Sequence, residues 1–304
     1  MKSSVIMATY NGEKYIEEQL DSIRKQNCKV DEVLIRDDIS TDKTAEIIEK
    51  YIKKYNLNNW SFFINRMNLG WRQNFTQLLN ETTGDIIFLS DQDDVWDFNK
   101  VSNMMNIFEN SNKVEVLVSD YEQKIIGNAL PANMDKLEEL NIKNNLFLIN
   151  SDIKNYFIGR PGWTFAIRKN IIPEYDDIRT KATTKSHDSL IWQISLSRGT
   201  LYHLRQITGT WTLHEDSAMA VEKKKIMTSK NLAAYFRDEV IILECLLKGT
   251  NKNKPLYASL KKLKIIDESR LDVLKSKSLA VLIKRMIHYP SVKSVIGDLI
   301  RIYD

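Results

Sequence analysis

Three carboxylates in four residues, Asp91, Asp93 and Asp94, follow directly on the apolar run Ile86-Ile87-Phe88-Leu89. Negative charge packed at the end of a strand is costly unless a cation balances it. Residues i and i+2 of an extended segment share a side, so Asp91 and Asp93 can face one site. A hard divalent cation carrying a phosphorylated ligand is the chemistry that fits this arrangement. A second acidic pair, Asp37-Asp38, closes the apolar run Val33-Leu34-Ile35, and Thr9-Tyr10-Asn11 closes Val5-Ile6-Met7-Ala8. His187-Asp188 stands before a helical pattern, and His214 follows the strand-like stretch 201–213.

These residues need elements to position them. Short apolar runs predict strands at 5–8, 33–35, 62–64, 86–89 and 114–118. Between them, apolar residues at helical spacing predict helices through Ile16, Leu20 and Ile23, then Ile48, Ile52 and Tyr55. Two more follow through Phe75, Leu78 and Leu79, and through Val101, Met104, Met105 and Phe108. Asn11 is the expected cap of the first helix, and Ser40 or Thr41 that of the second. Strand and helix alternate to about residue 120, which predicts an α/β fold: a mostly parallel sheet flanked by helices. Ligands in such sheets bind beyond the carboxyl ends of the strands, where all these polar clusters fall.

After residue 120 the pattern changes. Residues 121–160 show no clear period, 163–167 reads as a strand, and 201–213 as one or two strands. From about 226 the chain reads as helical: 228–248, 254–276 and a last stretch broken by Pro290. The expected division is a main domain over 1–220 and a C-terminal helical extension over 221–304.

The net charge of +4 over 304 residues gives no argument for a nucleic-acid partner. Cys28 and Cys245 lie far apart and form no metal-ligand pattern, which fits a reducing compartment. The run after Met1 is too short for a secretory leader, and no apolar stretch is long enough to span a bilayer. The expected location is therefore cytoplasmic. The C-terminal helices are rich in lysine, which is either a solvated face or a contact with the inner face of a membrane.

The assembled residues resemble the GT-A glycosyltransferases of family 2, in their bacterial rhamnosyltransferase-like form. The segments that carry the resemblance are 5–12, Asp37-Asp38-Ile39-Ser40-Thr41-Asp42, Asp91-Gln92-Asp93-Asp94-Val95-Trp96 and His187-Asp188, and it covers roughly residues 3–215. Ile39 stands where the family has glycine, and Trp211-Thr212-Leu213-His214 keeps only the histidine of a Tyr-Arg-X-His setting. The resemblance implies a Rossmann-like sheet and an inverting transfer from a nucleotide-diphosphate sugar, dTDP-rhamnose or a UDP-hexose. The acceptor would be a glycan or lipid-linked glycan of a bacterial surface polysaccharide. It implies that Thr9, Tyr10, Asn11, Asp37, Asp38 and Arg72 bind the nucleotide, with Asn74 beside Arg72. Asp38 would accept a pyrimidine N–H. Asp91, Asp93 and His214 would hold Mn²⁺ or Mg²⁺, with Asp91 also reaching the ribose or sugar. Asp188 would be the base, and Asp94, Gly162, Trp163, Thr164 and His187 would face the sugar or acceptor. A nucleotidyltransferase is a rival, but it would need a glycine-rich basic loop after the first strand. Here that loop is Thr9-Tyr10-Asn11-Gly12-Glu13. A non-catalytic sugar-binding module on the same fold is the other rival.

Overall fold

A computed structural model describes residues 1–133, 136–215, 217 and 228–303. Its strands are β1 (Ser3–Thr9), β2 (Glu32–Asp37), β3 (Trp60–Ile64), β4 (Ile86–Ser90), β5 (Val95–Trp96), β6 (Val116–Ile125), β7 (Glu139–Lys143), β8 (Leu146–Ile149), β9 (Phe165–Arg168) and β10 (Leu201–Leu213). The helices between them are α1 (Ile16–Arg24), α2 (Thr44–Lys54), α3 (Trp71–Glu81), α4 (Lys100–Asn110), α5 (Ile153–Tyr156), α6 (Ile172–Arg179) and α7 (His187–Arg198). Four more close the chain: α8 (Ser229–Gly249), α9 (Pro255–Ser276), α10 (Leu279–Arg285) and α11 (Val292–Tyr303). No described helix is long and apolar enough to cross a membrane.

All ten strands share one sheet, in the order β3-β2-β1-β4-β9-β6-β10-β8-β7, with β5 paired to β10. β1 to β4 pair in parallel, as do β6 and β10, while β9 runs antiparallel between β4 and β6. β4 is buried along its whole length, as a parallel strand covered on both faces must be. Its side chains alternate. Ile87 and Leu89 join Ile6, Phe75 and Leu78 on the α3 face, while Ile86 and Phe88 join Met7, Leu20 and Met104 on the α1 and α4 face. Truncating Phe88 to alanine in such packing costs about 3–5 kcal/mol. Ile242, Leu243 and Leu246 of α8 and Leu256 and Leu260 of α9 enter the same cluster as Ile191 and Leu196 of α7. The expected division at 220/221 lies outside the described residues.

Several local expectations change. α1 begins only at Ile16 with no side-chain cap, because Asn11 adopts φ 49° and turns its Oδ1 to the Thr41 N–H at 2.8 Å. Neither Ser40 nor Thr41 caps α2; Asp42 Oδ1 accepts from the Thr44 N–H at 2.9 Å instead. The stretch 121–160 contains the end of β6, the β7–β8 hairpin and α5. Gly162–Thr164 is a 3-10 turn, so β9 starts at Phe165. Residues 201–213 form one strand, with register shifts between Leu204 and Ile207 and between Ile207 and Thr210.

Candidate active site

The site starts where β1 and β2 end side by side, with Thr9 opposite Asp37. Asp37 is fully buried. Its Oδ2 accepts from Thr9 Oγ1 at 2.9 Å and its Oδ1 from the Ser40 N–H at 2.8 Å, so this carboxylate shapes the turn after β2. That turn puts Ile39 at φ 62°, a left-handed conformation that glycine adopts freely and a β-branched residue does not. Asp38 faces the other way. Its Oδ1 accepts from the Leu69 N–H and Asn65 Nδ2, and its Oδ2 from the Gly70 N–H, all at 2.8 Å. Of roughly four acceptor positions on a carboxylate, one is then left.

Tyr10 is half exposed at the rim, and Gln92 holds its peptide. Gly12 lies against the same amide: a Cβ there would fall 2.4 Å from Gln92 Oε1. The Arg72 guanidinium stacks on Trp71 at 4.0 Å, and its Nε donates to the Thr184 carbonyl at 3.1 Å. Asn74 is buried and donates to the Arg36 carbonyl at 2.9 Å.

The carboxylates beyond β4 crowd together. Burial pushes Asp91 up to about 8, and the charges of Asp93 and Asp188 add to the shift. Asp188 is thus electrostatically joined to the Asp91–Asp93 rim although it lies far along the chain. Asp93 Oδ2 sits 2.8 Å from His214 Nε2, and the Tyr15 ring lies against His214 with centroids 4.6 Å apart. Asp94 is buried and points inward. Its Oδ1 accepts from the Thr212 N–H at 3.0 Å, and its Oδ2 has no hydrogen-bond partner among the described residues. Burial, then Asp93 and Asp91, raise it well above the usual carboxylate range.

Beneath them lies Lys100, fully buried, its ammonium 5.0 Å from the Trp96 ring centre and 4.9 Å from that of Trp163. It donates to Thr208 Oγ1 at 3.1 Å. Burial lowers it to about 7, against the pull of Asp94 and Asp97.

A hard divalent cation fits this donor set: clustered carboxylate oxygens that raise one another, an imidazole beside one of them, and an orphaned buried oxygen on Asp94. Among the described residues no group of three His, Cys, Asp or Glu is by itself placed to hold a metal ion. Ligand phosphate oxygens and water would complete the coordination.

Asp188 lies in the first turn of α7, behind the Ser186 cap, and its Oδ1 accepts from the Ser189 N–H at 2.7 Å. Three residues expected at the sugar or acceptor, His187, Trp163 and Thr164, are buried instead. His187 is buried, stacked on Phe75 at 3.9 Å with Trp71 at its edge. Burial lowers it to about 4, so it packs as a neutral ring. Trp163 and Thr164 are fully buried and form no acceptor wall. The indole fits because Gly209 lacks a Cβ, which would come 2.8 Å from it. Gly162 presses against α7: a Cβ there would meet His187 Nε2 at 3.0 Å.

Sequence reasoning passed over Gln92, read as the spacer of an Asp-X-Asp motif, and Lys100. The latter had a signal, since Lys100, Met104 and Phe108 share one helix face and two of them are plain core residues.

Residues 4–175 match the family model described as glycosyl transferase family 2, more than half of the chain. The chain belongs to glycosyl transferase family 2. This glycosyltransferase is 29% identical over 225 residues to the dTDP-rhamnosyl transferase RfbG of Shigella flexneri, covering 69% of this chain and 72% of that one. It is 42% identical over 96 residues to the poly(ribitol-phosphate) β-N-acetylglucosaminyltransferase TarS of Staphylococcus aureus, a match spanning 31% of this chain and only 16% of TarS. Among solved structures, S. aureus TarS 1-349 in complex with UDP-GlcNAc superposes with a TM-score of 0.63 at 21% identity, covering 98% of this chain and 89% of that one. The mannosyltransferase PcManGT from Pyrobaculum calidifontis, in complex with GDP-Man and Mn²⁺, gives 0.54 at 15% identity, over 97% and 78%. These likenesses identify the fold of the glycosyltransferase as GT-A.

Proposed function

We propose that this glycosyltransferase is inverting and metal-dependent, and moves a sugar from a nucleotide-diphosphate donor to a glycan or lipid-linked glycan in bacterial surface polysaccharide synthesis. The observation that supports the reading is the cluster of Asp91, Asp93 and Asp94 beyond β4, with His214 Nε2 2.8 Å from Asp93 Oδ2 and Asp94 Oδ2 left without a partner among the described residues. Tyr10 offers an exposed aromatic face for the base, Asp38 its remaining acceptor position, and Thr9 and Asn11 the backbone that shapes the pocket. Asp91 is assigned to the donor's ribose or sugar and to the metal, Asp93 and His214 to the metal. A bound Mn²⁺ or Mg²⁺ supplies charge that stabilises the departing diphosphate. Asp188 takes the proton of the acceptor hydroxyl as its oxygen bonds the anomeric carbon. The bond to the diphosphate breaks on the opposite face and its electron pair leaves with the phosphate. Likeness to a dTDP-rhamnosyl transferase and to TarS bound to UDP-GlcNAc favours dTDP-rhamnose or a UDP-hexose as donor.

The test is a panel of dTDP-rhamnose, UDP-GlcNAc and GDP-mannose, read by thermal shift with Mn²⁺ and by release of nucleoside diphosphate. One donor should raise Tm and turn over, EDTA should stop turnover, and Asp188→Asn should lower it by at least about 100-fold. Near-normal transfer by Asp188→Asn would refute the base assignment, and release of pyrophosphate from a nucleoside triphosphate would favour a nucleotidyltransferase.

We also assign α10 and α11 to an anionic lipid surface, where a lipid-linked acceptor resides. Ile283, Ile287, Val292, Ile296, Ile300 and Tyr303 are all exposed. Residues 275–303 hold six Lys or Arg and a single carboxylate, Asp298, which is buried and paired with Arg270. An apolar face flanked by the exposed Lys275, Lys277, Lys284 and Lys293 suits anionic headgroups, at about 1 kcal/mol per basic residue near the surface.

A further inference from the structure

The segment between α6 and α7 is irregular, yet its backbone is held from both sides by side chains. On one side stands α8. Asp238 Oδ2 accepts from the Thr183 and Thr184 N–H groups at 2.8 and 2.9 Å, and Glu239 Oε1 pairs with Lys185 Nζ at 2.5 Å. On the other side, Arg72 of α3 donates to the Thr184 carbonyl at 3.1 Å. Arg179 of α6 donates to the carbonyls of Lys185 at 2.6 Å and Thr183 at 3.3 Å. Both acids of α8 are buried, Asp238 completely and Glu239 to 3% exposure. The second oxygen of Asp238 is taken by Arg237 at 2.7 Å. Burial alone would raise Asp238, but Arg237 and the two loop amides outweigh it and hold its carboxyl below the ordinary value. Immediately after this clamped segment come Ser186, the α7 cap, and Asp188.

We infer that Asp238 and Glu239 are positioning residues for sugar transfer: α8 fixes residues 183–185, and through them the first turn of α7 that aims Asp188 at the Asp91–Asp93 rim. The inference rests on Asp188 being the base. It gives the C-terminal extension a part in the reaction, although α8 lies beyond the residues 4–175 that match the family model. The geometry explains why charged residues are buried there. An irregular segment has backbone N–H and C=O groups with no ladder to join, and side chains must satisfy them. A displacement of about 1 Å in a reacting group can cost on the order of 100-fold in rate.

The test uses the full chain and a double-mutant cycle. Nucleoside diphosphate release is measured from dTDP-rhamnose or UDP-GlcNAc, whichever the native enzyme consumes, below the melting temperature of each variant. Asp238→Ala should lower kcat by about 10–100-fold and leave donor KM within about 3-fold, because the nucleotide side of the site is untouched. In an Asp188→Asn background the same substitution should cost nothing further, since there is no base left to aim. Unchanged kcat in Asp238→Ala, or an equal loss in both backgrounds, would overturn the inference while leaving the base assignment standing. Near-normal turnover by Asp188→Asn alone would overturn the base assignment, and the inference with it. If Asp238→Ala fails to fold, Glu239→Gln runs the same cycle, since it keeps the side-chain shape and removes the charge pairing with Lys185. A loss of about 3–10-fold confined to the native background is then expected.

Discussion

Gln92 grips the peptide of Tyr10 from both sides: its Oε1 accepts from the Tyr10 N–H at 2.8 Å and its Nε2 donates to the Tyr10 carbonyl at 3.0 Å. The middle residue of Asp-Gln-Asp thereby ties the carboxylate loop beyond β4 to the loop beyond β1. Gln92→Ala should weaken nucleotide binding by about 10-fold, the worth of one to two neutral hydrogen bonds, with little change in kcat. Gly12→Ala should do the same, because its methyl would occupy the place of the Gln92 amide. Calorimetric titration with the cognate nucleoside diphosphate decides it, and native affinity in both variants would show the tie to be idle.

The Asp93–His214 pair predicts a graded metal response. His214→Ala should raise the Mn²⁺ concentration for half-maximal turnover by about 10–100-fold. Saturating metal should recover most of the rate. Asp93→Ala should not be rescued by added metal. Equal Mn²⁺ curves for His214→Ala and the native enzyme would remove the histidine from the metal site.

Asp267 of α9 gives a pH prediction away from the rim. Burial, then Glu239, raise it to about 7, with Arg270 and Lys185 opposing. The folded chain therefore keeps a proton that the unfolded chain releases near 3.8. Between those values the folded state binds more protons, so this contribution is complete at low pH and is lost as pH rises towards 7. Asp267→Asn never ionises. It should melt with the native protein near pH 4 and above it at pH 8, measured by scanning fluorimetry across the range.

Ile39→Gly should stabilise the fold. The left-handed backbone at φ 62° costs a non-glycine residue about 1–2 kcal/mol. Glycine gives back part of that through its freer unfolded chain, about 0.5–1 kcal/mol. A net gain of roughly 0.5–1 kcal/mol in urea unfolding is expected. A loss of stability would mean that the Ile39 side chain packs usefully where it stands.

The apolar face of α10 and α11 should bind vesicles containing anionic lipid and ignore purely zwitterionic ones. Ile287→Ser with Ile296→Ser and Ile300→Ser should abolish co-sedimentation while donor turnover in solution stays unchanged. Vesicle binding that survives the triple substitution would disqualify the face. Loss of a concentration-dependent dimer instead would assign it to a second copy of the chain.

Much of this architecture is legible in the residues themselves. β4 announces itself because a strand buried on both faces must be apolar at every position, and Asp91 to Asp94 can only follow it. The helix through Met104 and Phe108 shows by period alone. Trp163 misled because a tryptophan beside a glycine pair suits a sugar platform as well as a core. Only the missing Cβ of Gly209, forty-odd residues later, reveals which. Asn11 misled because a cap signal is local, whereas its partner Thr41 sits on the next strand's turn. Asp238 gave no sign, since its partners in the 183–185 segment are backbone amides, which have no identity in a sequence.

The bond between Asp93 and His214 spans 121 residues. Its two halves emerge from the ribosome far apart in time. β1 to β4 can pair and pack early, but the carboxylate rim stays without its imidazole until β10 has been made and has slotted in beside β6. During synthesis, then, this pair closes late, and a chain stalled before residue 214 would carry the acidic loop without the imidazole that Asp93 meets in the folded chain.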